Sequence, residues 1–198
     1  MPVQTTEPGP IGSLLPGFEP ANELEARVTR DPDLLEGLAW GEPRAGHPEG
    51  AVAVHVEHLL ERLESWDEPP DRRTKLRFMV LVHDAFKGDV MELLPKIGRN
   101  HHADRARRFA ERYTSDLDVL GSIQHHDRPY NLWRKMRRKG SLDERAFTKM
   151  LGDLPDMGLF VRFVELDGST DGKTREPIHW FRGELGLRGF ELPHPPRV

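Results

Sequence analysis

Apolar residues recur at three- and four-residue intervals along most of the chain, and nowhere is the alternation of a half-buried strand sustained. The clearest stripe, Val52, Val56, Leu59, Leu60 and Leu63, predicts a helix over about 50–66, stopped by "EPPD" at 68–71. "LRFMVLVHDAF" carries the next, over about 71–86, and "DVMELLPKIG" reads as a looser connection because Pro95 interrupts it. Shorter patterns predict helices over 22–29 and 31–39, the second with Asp31 as cap and Pro32 in the first turn. Further helices are predicted over 102–113 and 115–126, from the capping-box spacing of "SLDE" at 141–144 through Met150, and over 156–167. Residues 1–21 are rich in Pro and Gly without periodicity and read as a flexible arm, and the chain after Gly168 reads as a Pro- and Gly-punctuated tail. The expectation is an all-α, multi-helix domain over 22–198.

Composition supports a folded chain and narrows its chemistry. With 198 residues, 36% of them hydrophobic, the chain is long enough to bury a core despite 31% charged residues. It contains no cysteine, which excludes disulfides, thiolate ligands and a cysteine nucleophile, so any metal must be held by His, Asp or Glu. No apolar run approaches a membrane span, and the expected location is cytoplasmic. A net charge of −4 argues against a surface generally coated by nucleic acid, although charge can be concentrated locally.

Several of the ten histidines fall where helical periodicity places core residues. His83 follows Met79 and Val80, His55 lies one turn from Val52 and Leu59, and Asp167 lies one turn from Phe163. Each therefore points inward. A buried carboxylate or imidazole needs a partner, and one group alone is commonly satisfied by a carbonyl or an arginine. Convergence of five or six such positions is met more simply by metal coordination from several helices.

The order His55, His83-Asp84, His102, His125-His126, Asp167 resembles the metal-binding pattern of the HD-domain phosphohydrolase superfamily. More narrowly, "HPEGAVAVH", "VHDAFKG" and "HADRARRFA" are similar to stretches of the HD domain of bacterial CCA-adding tRNA nucleotidyltransferases, whose nucleotidyltransferase head has no room in this chain. One departure is Phe86, which stands where the family usually has glycine before the lysine. The resemblance, which spans about residues 47–175, implies an HD-type helical bundle. It further implies that His55, His83, Asp84 and Asp167 hold a first divalent metal (Mn, Fe, Co, Ni or Mg). Asp84 would bridge to a second ion on His102 and on His125, His126 or both. It leaves His101 as a solvated helix-start residue, His58 as a supporting or core residue, His47 as a structural or substrate-facing loop residue, and His179 and His194 without a role.

Lys87, one turn beyond Asp84, is expected to meet a phosphoryl oxygen and neutralise charge that grows during hydrolysis, which makes Asp84 and Lys87 the candidate catalytic pair. The segment "RPYNLWRKMRRKG", 128–140, interleaves basic and aromatic residues, so Arg128, Tyr130, Trp133 and Arg134 are candidate substrate contacts suited to nucleotides or RNA ends. Lys173 and Arg175 are weaker phosphate candidates on a stretch expected to close the cleft. The expected function is metal-dependent hydrolysis of a nucleotide-like phosphomonoester or (cyclic) phosphodiester, as a phosphatase or phosphodiesterase. The rivals are an HD-type diiron oxygenase, against which Lys87 argues, and a non-catalytic HD binding or signalling module.

Overall fold

The computed structural model describes residues 10–43, 50–170 and 173–196. Among them there is no strand, and the chain is all-α as its periodicity predicts. The helices are α1 (Pro10–Leu14), α2 (Glu23–Val28), α3 (Pro32–Ala39), α4 (Val52–Glu64), α5 (Pro70–Val82), α6 (His102–Ala110), α7 (Leu117–His125), α8 (Arg128–Lys139), α9 (Glu144–Gly152), α10 (Met157–Asp167) and α11 (Glu176–Leu187), with a 3-10 turn at Gly98–Asn100. None is long and apolar enough to cross a membrane.

The bundle is organised around α10, which packs against α4, α5, α7 and α11. One face of α10, Leu159, Phe163 and Leu166, joins the core built by α1 to α7. Another, Phe160, Val161 and Val164, joins a second core with Leu132 of α8, Phe147 and Met150 of α9, and Ile178, Phe181 and Leu185 of α11. A helix apolar on nearly all sides is a buried helix, and each large side chain contributes roughly 1.5–3 kcal/mol by leaving water. The two polar side chains inside this helix form an ion-pair network: Arg162 Nε lies 2.7 Å from Glu68 Oε1, and Glu165 is bonded to both Arg162 and Arg182. Because both cores meet on α10, its C-terminal residue Asp167 lies at the seam between them.

Four expectations are corrected. Residues 10–18 do not belong to a flexible arm, since Ile11, Leu14, Leu15 and Phe18 form an i, i+3, i+4, i+7 stripe packed on the first core, with Leu15 only 1% exposed. The surrounding Pro and Gly obscured that stripe; residues 1–9 lie outside the described part. The C-terminal stretch is not simply a tail, because α11 buries Ile178, Phe181 and Leu185 despite Gly183 and Gly186 diluting its pattern. The helix predicted over 71–86 stops at Val82. At α9 the cap is Asp143, which accepts from the Ala146 amide at 3.1 Å, and not Ser141.

Candidate metal centre

Five of the expected ligands sit at helix ends and one in a helix interior. His55 comes from α4, His83 and Asp84 from the end of α5, His102 from the start of α6, His126 from the end of α7, and Asp167 from the end of α10. The early stop of α5 is what lets His83 and Asp84 act together. Neighbours on a continuous helix diverge by about 100°, whereas here the chain turns tightly after Val82, with Ala85 N bonded to Val82 O and Lys87 N to Asp84 O.

His83 and His126 use the same local device. Each caps its helix, and each directs Nδ1 at the carbonyl three residues back, Val80 at 3.0 Å and Ile123 at 2.8 Å. A carbonyl only accepts, so Nδ1 carries the hydrogen and the neutral ring keeps its Nε2 lone pair for the site. Phe163 floors both rings, edge-on to His83 with centroids 5.3 Å apart.

Asp84 divides its two oxygens between two donor sets. Oδ2 lies 3.3 Å from His83 Nε2 and 3.9 Å from His55 Nε2, and Asp167 Oδ1 completes this side at 3.0 Å from His55 and 3.7 Å from His83. Oδ1 lies 3.5 Å from His102 Nε2 and 3.5 Å from His126 Nε2, which are 3.3 Å apart. Within each set, His55/His83/Asp84/Asp167 and Asp84/His102/His126, the donor atoms all lie within 4.8 Å of one another. Two buried atoms that face these sets, His83 Nε2 and Asp84 Oδ1, have no hydrogen-bond partner. An orphaned imidazole nitrogen and an orphaned carboxylate oxygen fit a divalent cation, and the donors are all N and O, as the absence of cysteine requires.

The electrostatics follow from burial and neighbours. Burial pushes the fully buried His83 imidazole down, but Asp84 and Asp167 outweigh it and raise the group to about 9. Burial opposes ionisation of Asp84 and Asp167 as well; His83 and Lys87 hold Asp84 well below the usual carboxylate range, and Lys173, His55 and His83 do the same for Asp167. His55 is lowered by burial in spite of Asp167. His102, lowered by burial and by the neighbouring His126, falls to about 3. Two ammonium groups balance the carboxylates: Lys87 Nζ is 2.5 Å from Asp84 Oδ2, and Lys173 Nζ is 2.8 Å from the Asp167 carbonyl and 3.1 Å from its Oδ1.

A cleft of about 400 Å³ opens over the second set. Asp84, Lys87, His102, His126, Asp167 and Lys173 line its charged part, and Tyr130, Val164, Pro177 and Ile178 line an apolar wall. Of the candidate substrate contacts, Lys87 and Tyr130 therefore face the cleft, whereas Arg128, Trp133 and Arg134 are not among its lining residues. Arg134 instead lies 5.6 Å from the Tyr130 ring centre, Arg137 lies 6.0 Å from that of Trp133, and Lys135 pairs with Asp143, so α8 turns most of its basic residues along an exposed face. Arg175 turns away from the cleft into a smaller hollow with Arg62 and Arg182.

The histidine assignments that the sequence left open separate cleanly. His126 joins the cluster, and His125 does not: its Nε2 is 3.4 Å from Asp153 Oδ2, on the face of α7 that also carries Gly121 against the Asp153 carbonyl. His101 is no solvated residue, since its Nδ1 accepts from the Ala103 amide at 3.3 Å and its Nε2 lies 3.3 Å from Asp127. His58 is exposed, without the supporting or core role expected of it, and His47 lies outside the described residues. Asp127 was missed altogether, although it directly follows the histidine pair. His126→Ala is expected to lower bound Mn²⁺ by about one ion per chain while His125→Ala leaves it unchanged, as plasma emission spectrometry of dialysed protein will read. Compared with protein-family models, with curated proteins and with solved structures, the chain matches none.

Proposed function

We propose that this protein is a divalent-metal-dependent phosphohydrolase acting on a nucleotide-like phosphomonoester or (cyclic) phosphodiester. The observation that carries the reading is the division of the Asp84 carboxylate between two donor sets in a cleft that also holds two ammonium groups. His55, His83, Asp84 and Asp167 would hold one ion, and Asp84, His102 and His126 a second. Divalent ions so held polarise a phosphoryl oxygen and acidify a bound water.

The chain's own groups supply the rest. Lys87 and Lys173 place positive charge at the carboxylate edge of the cleft, where non-bridging phosphate oxygens gain negative charge during displacement. The Val80 and Ile123 carbonyls fix the orientation of two ligand rings, so little reorganisation accompanies reaction. The apolar wall around Tyr130 and Ile178 excludes water and offers an aromatic face to the alcohol part of the ester. Two ammonium groups beside the carboxylates suit an anionic substrate and have no evident task in dioxygen activation. The similarity of the motifs to HD-domain phosphohydrolases supports the same reading.

The test is a screen of metal-loaded protein with Mn²⁺, Co²⁺, Ni²⁺, Mg²⁺ and Fe²⁺ against bis-p-nitrophenyl phosphate, mononucleotides, 2′,3′-cyclic nucleotides and short RNA. Hydrolysis that depends on the ion and disappears with chelator is expected. Fully loaded protein that cleaves none of these esters would sink the proposal.

A further inference from the structure

Three of the four imidazoles in the proposed donor sets have ring contacts that fix them: His55 through Asp167, His83 through Val80 and His126 through Ile123. His102 is different. It lies at the exposed end of the site, with its side chain 16% exposed, and its described hydrogen-bond partner is another ligand ring, that of His126. What borders it on the outer side is Asp127, in a group with His101 whose ring nitrogens and carboxylate oxygen all lie within 4.8 Å of one another.

That group does not read as a third cation site. His101 Nδ1 accepts the Ala103 N–H, so the hydrogen of the neutral ring is on Nε2 and is directed at Asp127 Oδ2, leaving no lone pair for an ion. Asp127 Oδ2 also accepts from Asn131 Nδ2 at 3.0 Å. One oxygen of the carboxylate is therefore held from both sides, by α6 through His101 and by α8 through Asn131. The other, Oδ1, is buried and has no hydrogen-bond partner. The His101 ring stacks on that of His102, with centroids 4.7 Å apart and planes 26° from parallel. The Asp127 carboxylate thus places a negative charge within 4.8 Å of a ring nitrogen of His102 and holds the His101 ring that stacks on it, so it acts on the position and donor strength of His102 through charge and through His101.

We infer that Asp127, clamped by His101 and Asn131, is the positioning residue for His102 and thereby sets the affinity of the second metal position. The inference rests on the two-ion reading of the centre and specifies which residue outside the donor sets governs one ion and not the other. His55, His83 and Asp167 make no described contact with Asp127, so the first position is expected to be indifferent to it.

The experiment is calorimetric titration of chelator-treated full-length protein with Mn²⁺, comparing wild type, Asp127→Asn and Asn131→Ala. Two ions are expected in wild type. Asp127→Asn should raise the dissociation constant of the second by about 10–100-fold and leave the first within about twofold, an effect of the size that outer carboxylate partners exert. Asn131→Ala, which removes only one bond to Oδ2, should shift the same ion in the same direction by less, and it serves alone if Asp127→Asn does not fold by circular dichroism. Equal weakening of both ions, or no change in the second, overturns the role of Asp127 while leaving the two-ion centre standing. Wild-type protein that binds no Mn²⁺ overturns the metal reading itself.

Discussion

Asp84→Ala is expected to abolish binding at both proposed metal positions and to lower any phosphate-ester hydrolysis on the order of 10³-fold or more, because it removes the only carboxylate common to both donor sets. The same change removes the carboxylate oxygen that lies 2.5 Å from the Lys87 ammonium and leaves Asp167 as the carboxylate nearest His83 Nε2. Secondary structure should survive, since Asp84 lies past the end of α5 and contributes no apolar surface to either core. Metal content by plasma emission spectrometry, turnover and far-ultraviolet circular dichroism together decide the matter. Full Mn²⁺ stoichiometry in a helical Asp84→Ala protein would end the assignment. Loss of helicity would instead mean that Asp84 is needed for folding.

Gly37→Ala should destabilise the fold by about 3 kcal/mol, an overpacking cost, and lower the melting temperature by about 6–12 °C for a chain of this size. On an open helix surface the same substitution would stabilise by up to about 1 kcal/mol through helix propensity, so the sign is diagnostic. A Cβ at position 37 would lie 1.9 Å from the carbonyl oxygen and 2.7 Å from the carbonyl carbon of Ala85. Both are backbone atoms that no rotamer change can move aside. Ala85 directly follows Asp84, so relief of the clash displaces the turn that aims both carboxylate oxygens. A thermal melt reads the stability, and Mn²⁺ titration of the folded fraction should show weaker binding. An unchanged or raised melting temperature would mean that α3 does not approach the turn this closely.

The proposed centre and the close approach of α3 are linked through one piece of chain. The turn from His83 to Gly88 carries two ligands and a lysine on its inner side, and it is covered outside by Gly37 and by Trp40, whose ring lies 2.7 Å from where a Cβ of Gly88 would be. Phe86, at the position where the sequence departs from the motif it resembles, is 8% exposed and packs on Phe109 at 4.9 Å. The substitution therefore fills core volume between the turn and α6 and does not touch the donor sets.

Read from the sequence alone, the helices of the first core and the inward direction of His55, His83 and Asp167 were accessible, because a stripe repeating every 3.6 residues states which side of a helix is buried whatever it is buried against. The His-Asp tandem was likewise visible as polar residues ending an apolar run. The structure alone decided matters that depend on what each stripe meets. It chose His126 over His125, since neighbours about 100° apart on α7 are both buried, one against Asp84 and the other against the Asp153 loop. It stopped α5 at Val82, where contacts with α3 and the ligand cluster outweigh a helical pattern that would have run on to Phe86. It recruited α11 into the second core and α8 onto the cleft wall, although glycines in one and arginines in the other hid their apolar faces. It also brought Asp127 to His101 across 26 residues of chain, a meeting for which no local spacing is a sign. Periodicity records burial along one helix, whereas a site is made where several helices end, and only their packing sets which ends meet.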